Sequence, residues 1–327
     1  MKFVTYRNID GETPRFGFKR GEIIIDVIRS GIWVNENKKD SSFLTIPTTL
    51  KLALVNWDRN FSKLKNLNQA IPDTNLLSME VDKKPIAIKE SETNLLPPVT
   101  NPNTFRDFYA FEQHVKAARK LRGLEMHPDW YKIPIFYFSN PTTLYGHGAI
   151  VPYPAGTEEL DFELEFAIII ANGGRDIKKE NADKMIAGYT ILNDWSARDL
   201  QREEMQLNLG PAKGKDFANS FGPYMVTPDE LTDAWDSNKL HLRMTCHVNG
   251  KLISDGNTND LYHSFPTMIE RASMNVDLQP GDYIGSGTVG TGCILELKPE
   301  STGGWLKKGD VVRLEIEHIG VLENTIV

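Results

Sequence analysis

The run Leu160-Asp161-Phe162-Glu163-Leu164-Glu165-Phe166-Ala167-Ile168-Ile169-Ile170 alternates acidic and large apolar residues, then becomes wholly apolar. Side chains of a strand alternate between its two faces. The pattern predicts a strand with Phe162, Leu164 and Phe166 on one side and Asp161, Glu163 and Glu165 on the other. Its continuation into Ala167-Ile-Ile-Ile170 reads as interior. Neighbouring buried carboxylates repel and lose hydration unless a cation or protons compensate, so a bound cation is the economical explanation. The competing reading is an edge strand with a solvated acidic face.

With 327 residues, 40% hydrophobic and 25% charged, the chain reads as a soluble globular protein with room for a sizeable core and one or two domains. A net charge of −7 gives no reason to expect a nucleic-acid partner. No long apolar run or signal peptide is present, so the expectation is a cytoplasmic protein without a membrane partner. The two cysteines, Cys246 and Cys293, make neither a disulfide framework nor a zinc ligand set.

Outward from the acidic run, the N-terminal stretch shows short strand-like segments at Lys2–Tyr6 and Glu22–Val27, separated by turns at Asn8–Gly11 and Lys19–Gly21. Helical spacing covers about Thr48 to Leu67. The segment Leu95-Leu-Pro-Pro-Val-Thr-Asn-Pro-Asn103 opposes regular structure and suits a linker. The expected division is a small N-terminal β domain with a helix over 1–97 and a larger domain over 98–327. In the latter, helices are expected at about Asp107–Leu121, Asn181–Ala187 and Ala197–Gln206, with strand and turn elsewhere. The fold class is α+β and β-rich.

Asp194 lies where the strand-like run Gly188-Tyr-Thr-Ile-Leu-Asn-Asp194 ends and a helix begins; Ser196 and Asp199 have capping-box spacing. Carboxylates from two elements form a hard oxygen set that suits magnesium, manganese or calcium rather than zinc or copper. Asp107 and His114, seven residues apart on the expected helix, return to nearly the same side. Gly285-Ser-Gly287-Thr288-Val-Gly290 has dinucleotide-fingerprint spacing, but the following Thr291–Pro299 reads as a strand, so the nucleotide reading fails on context. Such a turn still admits a ligand to backbone N–H groups, with Thr288 adding a hydroxyl. Glu296, between Leu295 and Leu297, reads as a further inward acid. Lys215 sits between glycine-rich turns, Arg198 and Gln201 are helical neighbours, and Arg122 and Tyr137 flank Met126–Pro134, a segment suited to a lid.

In this order the pieces resemble the fumarylacetoacetate hydrolase family: Asp107-Phe-Tyr109 with Gln113-His114, Leu160-Asp-Phe-Glu-Leu-Glu165, Asn193-Asp-Trp-Ser-Ala-Arg-Asp-Leu-Gln201, Gly214-Lys215, Ser286-Gly-Thr288 and Leu295-Glu296. The resemblance implies a mixed β-sandwich or roll-like C-terminal domain of the fumarylacetoacetase type and a homodimer. It implies that Asp107, Glu163, Glu165 and Asp194 bind a divalent metal, Mg2+ or Ca2+, with Mn2+ an alternative. His114, oriented by Glu296, would be the general base; Lys215, Gln201 and Arg198 would assist catalysis, and Tyr109, Arg122, Tyr137 and Thr288 would contact substrate. The implied activity is hydrolysis of a carbon–carbon bond in fumarylacetoacetate or a similar β-diketo acid, as in tyrosine degradation. Acylpyruvate hydrolysis, oxo-acid decarboxylation and sugar-acid dehydration are alternatives within the family, and a non-catalytic calcium-braced protein is the alternative outside it. One departure bears on substrate: Tyr137 is followed by Phe138-Ser-Asn140, where fumarylacetoacetases typically carry His-Gly-Arg.

Overall fold

In the computed structural model, residues 1–9, 11 and 13–327 are described; Asp10 of the expected Asn8–Gly11 turn lies outside them. Leu164–Ile170 is a strand whose every residue is buried. It pairs antiparallel with Ile186–Asp194 on one side and Tyr283–Thr288 on the other. Apolar side chains leave both of its faces. Leu164, Phe166, Ile168 and Ile170 join one core cluster, with Leu314 and Leu322 of a second, five-stranded sheet. Ala167 and Ile169 join another, with Trp57, Leu64 and Val34 from the N-terminal helices. Cover on both faces explains why the alternation gives way to Ala-Ile-Ile-Ile.

The architecture is α+β and strand-rich, around a twelve-stranded sheet. Its main path runs Ala87–Lys89, Ile23–Asp26, Arg15–Arg20, Lys2–Asn8, Asn219–Val226, Ile186–Asp194, Leu164–Ile170, Tyr283–Thr288, Phe105–Phe108 and Phe136–Ser139, with Thr93–Leu96 and Leu144–Tyr145 pairing off it. Lys2 and Phe3 pair with Val226 and Met225, so the sheet passes unbroken from the N-terminal stretch into the rest of the chain. Among the described residues no helix is long and apolar enough to cross a membrane.

Several expected elements differ. The helix expected from Asp107 starts at Glu112 and ends at Leu121, while Phe105–Phe108 is a strand held between Tyr283–Thr288 and Phe136–Ser139. Asp107 and His114 are therefore not on one helix. Phe-Arg-Asp-Phe-Tyr-Ala-Phe fits a period of two as well as of 3.6, and pairing on both sides decides it. Thr48–Leu67 resolves into two helices, Leu50–Leu54 and Trp57–Ala70, the first capped by Thr49. The expected helix at Asn181–Ala187 is one turn, Lys179–Ala182, before Ile186 opens a buried strand. Ile294–Leu297 is a helical turn, not a strand; four residues are too few to display a period. The nucleotide reading still fails, because Gly285 and Gly287 lie inside the Tyr283–Thr288 strand rather than ahead of a long helix.

Candidate functional site

Asp194 and Asp107 sit at or near the ends of their strands, and Glu165 near the start of the one between them. The period of two puts Asp194 on the same face as Leu192, Glu165 with Ala167, and Asp107 with Phe105, all residues of the helix-covered core. Between Glu165 and Asp107 runs Tyr283–Thr288, which presents Gly285 and Gly287 there. A Cβ on Gly285 would stand 2.3 Å from Asp107 Oδ1. The missing side chain is what lets a carboxylate lean over that strand. One oxygen from each of Asp107, Glu165 and Asp194 falls within 4.8 Å of the others, and all three residues are buried.

Burial pushes the carboxyls of Asp107 and Glu165 well above their ordinary values, and the neighbouring carboxylates add to it. The two carboxyls act on each other, so that a proton held by Glu165 favours the ionised form of Asp107. Asp194 is raised too, chiefly by burial, against the opposing pull of Lys215. Glu165 Oε2 and Asp194 Oδ1 are buried without a hydrogen-bond partner. Orphaned buried oxygens on convergent carboxylates fit a hard divalent cation. The sequence-predicted metal ligands Asp107, Glu165 and Asp194 are thus brought together.

Glu163 stands apart from these three. Ladder pairing lapses at Phe162 and Glu163, between the two-residue strand Leu160–Asp161 and Leu164–Ile170, yet Leu160, Phe162, Leu164 and Phe166 all enter one core cluster and Asp161 and Glu163 both meet Arg198. Glu163 Oε1 accepts from Arg198 Nη2 at 2.8 Å and Oε2 from Lys215 Nζ at 2.5 Å. Burial opposes its ionisation, but Lys215 and Arg198 outweigh that and hold its carboxyl far below the usual range. Asp161 accepts from Arg198 Nε and from the amides of Ile294 and Leu295, tying the acidic run to the turn that carries Glu296. Sequence reading put Asp161 with the other acids but missed this bracing role; Arg198, 37 residues away, was the available signal.

Each nitrogen of Arg198 donates one hydrogen bond within the protein, to Asp161, to Glu163 and, through Nη1, to Gln201 Oε1. The expected neighbour relation of Arg198 and Gln201 is present, but the capping box is not. Ser196 pairs in a short strand, Ala197 precedes the helix without a side-chain cap, and Asp199 accepts from Thr157 Oγ1 and the Glu158 amide. Lys215, 3% exposed, also donates to Asp194 at 2.5 Å. Although burial disfavours its charge, Asp194 and Glu163 raise its pKa above the ordinary lysine value.

His114 Nδ1 lies 3.0 Å from Glu296 Oε2, both side chains buried. The imidazole meets the Tyr109 ring edge-on at 5.6 Å. Burial pushes the Tyr109 phenol up to about 12, while Arg122 and Arg198 act the other way and Glu163 and Cys293 reinforce it. His114 also favours the ionised Glu163, so the two lie near enough for their charges to interact. Tyr137 donates to Asp194 Oδ2 at 2.6 Å and Thr288 to Glu165 at 3.3 Å. Arg122 is exposed at the end of its helix, donating to Ala118 O. The Met126–Pro134 segment is anchored rather than loose: Trp130 is buried, donates to Tyr109 O and has its own carbonyl bonded to His263.

The family described as "Fumarylacetoacetate (FAA) hydrolase C-terminal" matches residues 103–327. The mitochondrial oxaloacetate tautomerase fahd2 of Xenopus laevis is 28% identical over 334 residues, covering 100% of this chain and 90% of that protein. The oxaloacetate tautomerase YisK of Bacillus subtilis is 35% identical over 197 residues, covering 59% of this chain and 61% of that protein. Among solved structures, a fumarylacetoacetate hydrolase from Exiguobacterium antarcticum aligns at TM-score 0.69 and 25% identity, over 100% of this chain and 99% of that one. A maleylpyruvate hydrolase from Sphingobium sp. SYK-6, in complex with manganese and pyruvate, shares the fold at TM-score 0.67 and 22% identity, over 100% of this chain and 99% of that one. With a family match over two thirds of its length, this chain belongs to the fumarylacetoacetate hydrolase family and is an enzyme of that kind.

Proposed function

We propose that the protein catalyses metal-dependent proton transfer on a small β-oxo acid, interconverting the keto and enol forms of oxaloacetate. The observation that carries this is the pairing of a buried three-carboxylate cluster with a separate His114–Glu296 pair whose imidazole lies near enough to Glu163 to favour its ionised form. The names of the tautomerase relatives support the choice of oxaloacetate. Asp107, Glu165 and Asp194 would hold the cation, with Glu163 beside them. A divalent cation there supplies Lewis-acid polarisation of the 2-oxo group.

The chain's own residues do the rest. His114 removes a proton from the carbon between the two carbonyl groups and returns one to the same carbon in the reverse direction. Glu296 accepts from Nδ1–H, fixes the ring and stabilises the imidazolium, as the orienting acid does in a catalytic triad. Arg198 positions Glu163 and Asp161 rather than touching substrate. Lys215 holds Glu163 ionised and favours the ionised form of Asp194 against the effect of burial. Tyr109 and Gln201 are available to the substrate's second carboxylate.

Hydrolysis of a carbon–carbon bond in an acylpyruvate or fumarylacetoacetate is the second reading, favoured by the same His114–Glu296 pair acting on water. Water would add to the carbonyl, the adjacent bond would break, and the enolate would take up a proton, giving two carboxylic acids. One panel distinguishes the two: oxaloacetate, acylpyruvates and fumarylacetoacetate, each with magnesium, manganese and calcium, followed by enol absorbance and product analysis. Tautomerisation of oxaloacetate no faster than the uncatalysed rate, with any of the three metals, would sink the first reading.

A further inference from the structure

Cys293 is the one thiol beside the reaction centre, and the proposed chemistry gives it no task. It is buried, unpaired with Cys246, and precedes the helical turn that carries Glu296. Its Sγ, one ring nitrogen of His114 and one carboxylate oxygen of Glu296 all lie within 4.8 Å of one another. Burial and the nearby Asp161 push the thiol well above its ordinary value, Arg198 opposes this and Glu163 adds to it, so the metal-free group is a protonated thiol. Sequence spacing could not display such a set, because His114 and Glu296 are 182 residues apart.

This donor set differs in kind from the carboxylate cluster. Three carboxylates are hard ligands; a thiolate, an imidazole and one carboxylate suit zinc. In a tetrahedral zinc site, bonds of about 2.0–2.3 Å put ligand atoms roughly 3.3–3.6 Å apart. The 3.0 Å His114–Glu296 contact and the 4.8 Å limit on the set bracket that range, so small side-chain adjustments suffice. A water or substrate oxygen would complete the fourth position.

We propose that His114, Cys293 and Glu296 form a second metal site, selective for zinc and inhibitory because it occupies the acid–base pair. Zinc displaces the Cys293 proton to solvent on binding and takes the Glu296 oxygen that orients His114. The inhibitory half rests on the proposed function; the binding half stands on the ligand geometry alone.

Titration of the full-length, magnesium-saturated protein with Co2+, a spectroscopic probe for Zn2+, tests it. The expected result is an intense near-ultraviolet thiolate-to-cobalt band that saturates at one equivalent and is bleached by Zn2+. Cys293→Ser and His114→Ala should both lose the band, and Cys293→Ser should weaken zinc binding by more than the roughly 10–100-fold that an outer-shell partner is worth. Absence of the band in the unmodified protein overturns the site without reliance on any variant. A band that persists in Cys293→Ser belongs to Cys246 and overturns it equally. In assays with magnesium present, zinc should inhibit turnover and Cys293→Ser should raise the zinc concentration needed; a full band with undiminished turnover overturns the inhibitory half. If no oxo acid is turned over at all, the proposed function has failed and the cobalt spectrum still decides the site.

Discussion

Replacing Lys215 by methionine removes one buried charge while keeping most of the side chain's volume. Its Nζ is 2.5 Å from both Glu163 and Asp194. Without it, Glu163 keeps only Arg198, and Asp194 keeps only the Tyr137 hydroxyl on Oδ2, its Oδ1 being already unpartnered. Removing one partner from a buried ion pair costs about 3–5 kcal/mol. Two carboxylates lose a partner here, but Asp194 can relieve part of the strain by taking up a proton, at about 1.4 kcal/mol per pH unit between its intrinsic value and the solvent. The expected deficit for the metal-free protein at neutral pH is therefore about 3–5 kcal/mol, not twice that.

A divalent cation in the carboxylate cluster replaces the missing positive charge, so the deficit should shrink as metal saturates. For the unmodified protein, cation at 100 times its Kd adds about 2.7 kcal/mol. The variant should gain more, because no lysine competes for Asp194. Denaturant unfolding of both proteins, in chelator and in saturating manganese, measures all four stabilities; calorimetry gives the affinities. A deficit under about 1 kcal/mol in chelator, against the range expected for a buried pair, would refute the reasoning. So would a deficit unchanged by metal.

Three further outcomes follow from the same site. Asp107 and Glu165 have raised carboxyl pKa values, so the metal-free native state holds protons that the unfolded chain releases above roughly pH 4. Their stabilising contribution is full below that pH and is lost as pH rises through the raised values; Glu165→Gln should therefore stabilise the chelated protein at neutral and alkaline pH while abolishing stabilisation by metal, both readable from melting curves. Gly285→Ala places a Cβ on Asp107 Oδ1 and should weaken manganese binding by about 10–100-fold, the cost of misplacing a ligand's support, as measured by calorimetry. Glu296→Gln should lower turnover by about 10²–10⁴-fold by misorienting the His114 ring, with manganese affinity unchanged; a matching loss of affinity would show that Glu296 supports the cluster instead.

The interior strand was legible because Leu164–Ile170 carries apolar residues on both faces, a signal that survives without knowing its neighbours. The pairing of Arg198 with Gln201 was legible for a similar reason, being local to one helix. The partners of Glu163 were not: nothing in Leu-Asp-Phe-Glu-Leu-Glu announces that Arg198 and Lys215, 35 and 52 residues away, take its two oxygens. Asp107 was misplaced because its strand is defined by partners that come 30 residues later and nearly 180 residues later, at Phe136–Ser139 and Tyr283–Thr288.

What assembles the cluster is a feature the sequence shows but does not interpret. Gly285-Ser-Gly287 invites a nucleotide reading, and its real effect is subtractive. Strands in a sheet stand about 4.8 Å apart, so acids on strands separated by a third would face each other across roughly 10 Å and share no cation. Gly285 removes the intervening side chain, Asp107 leans across it, and the Gly287 amide donates to Asp107 Oδ1 at 3.2 Å to hold it there. The same strand then offers Thr288 to Glu165. The glycines thus serve an anion, as a phosphate loop's glycines do, but the anion is the protein's own carboxylate. A glycine-rich strand beside acidic strands is consequently a metal-site signal in its own right, and the Gly285→Ala affinity measurement tests that cause directly.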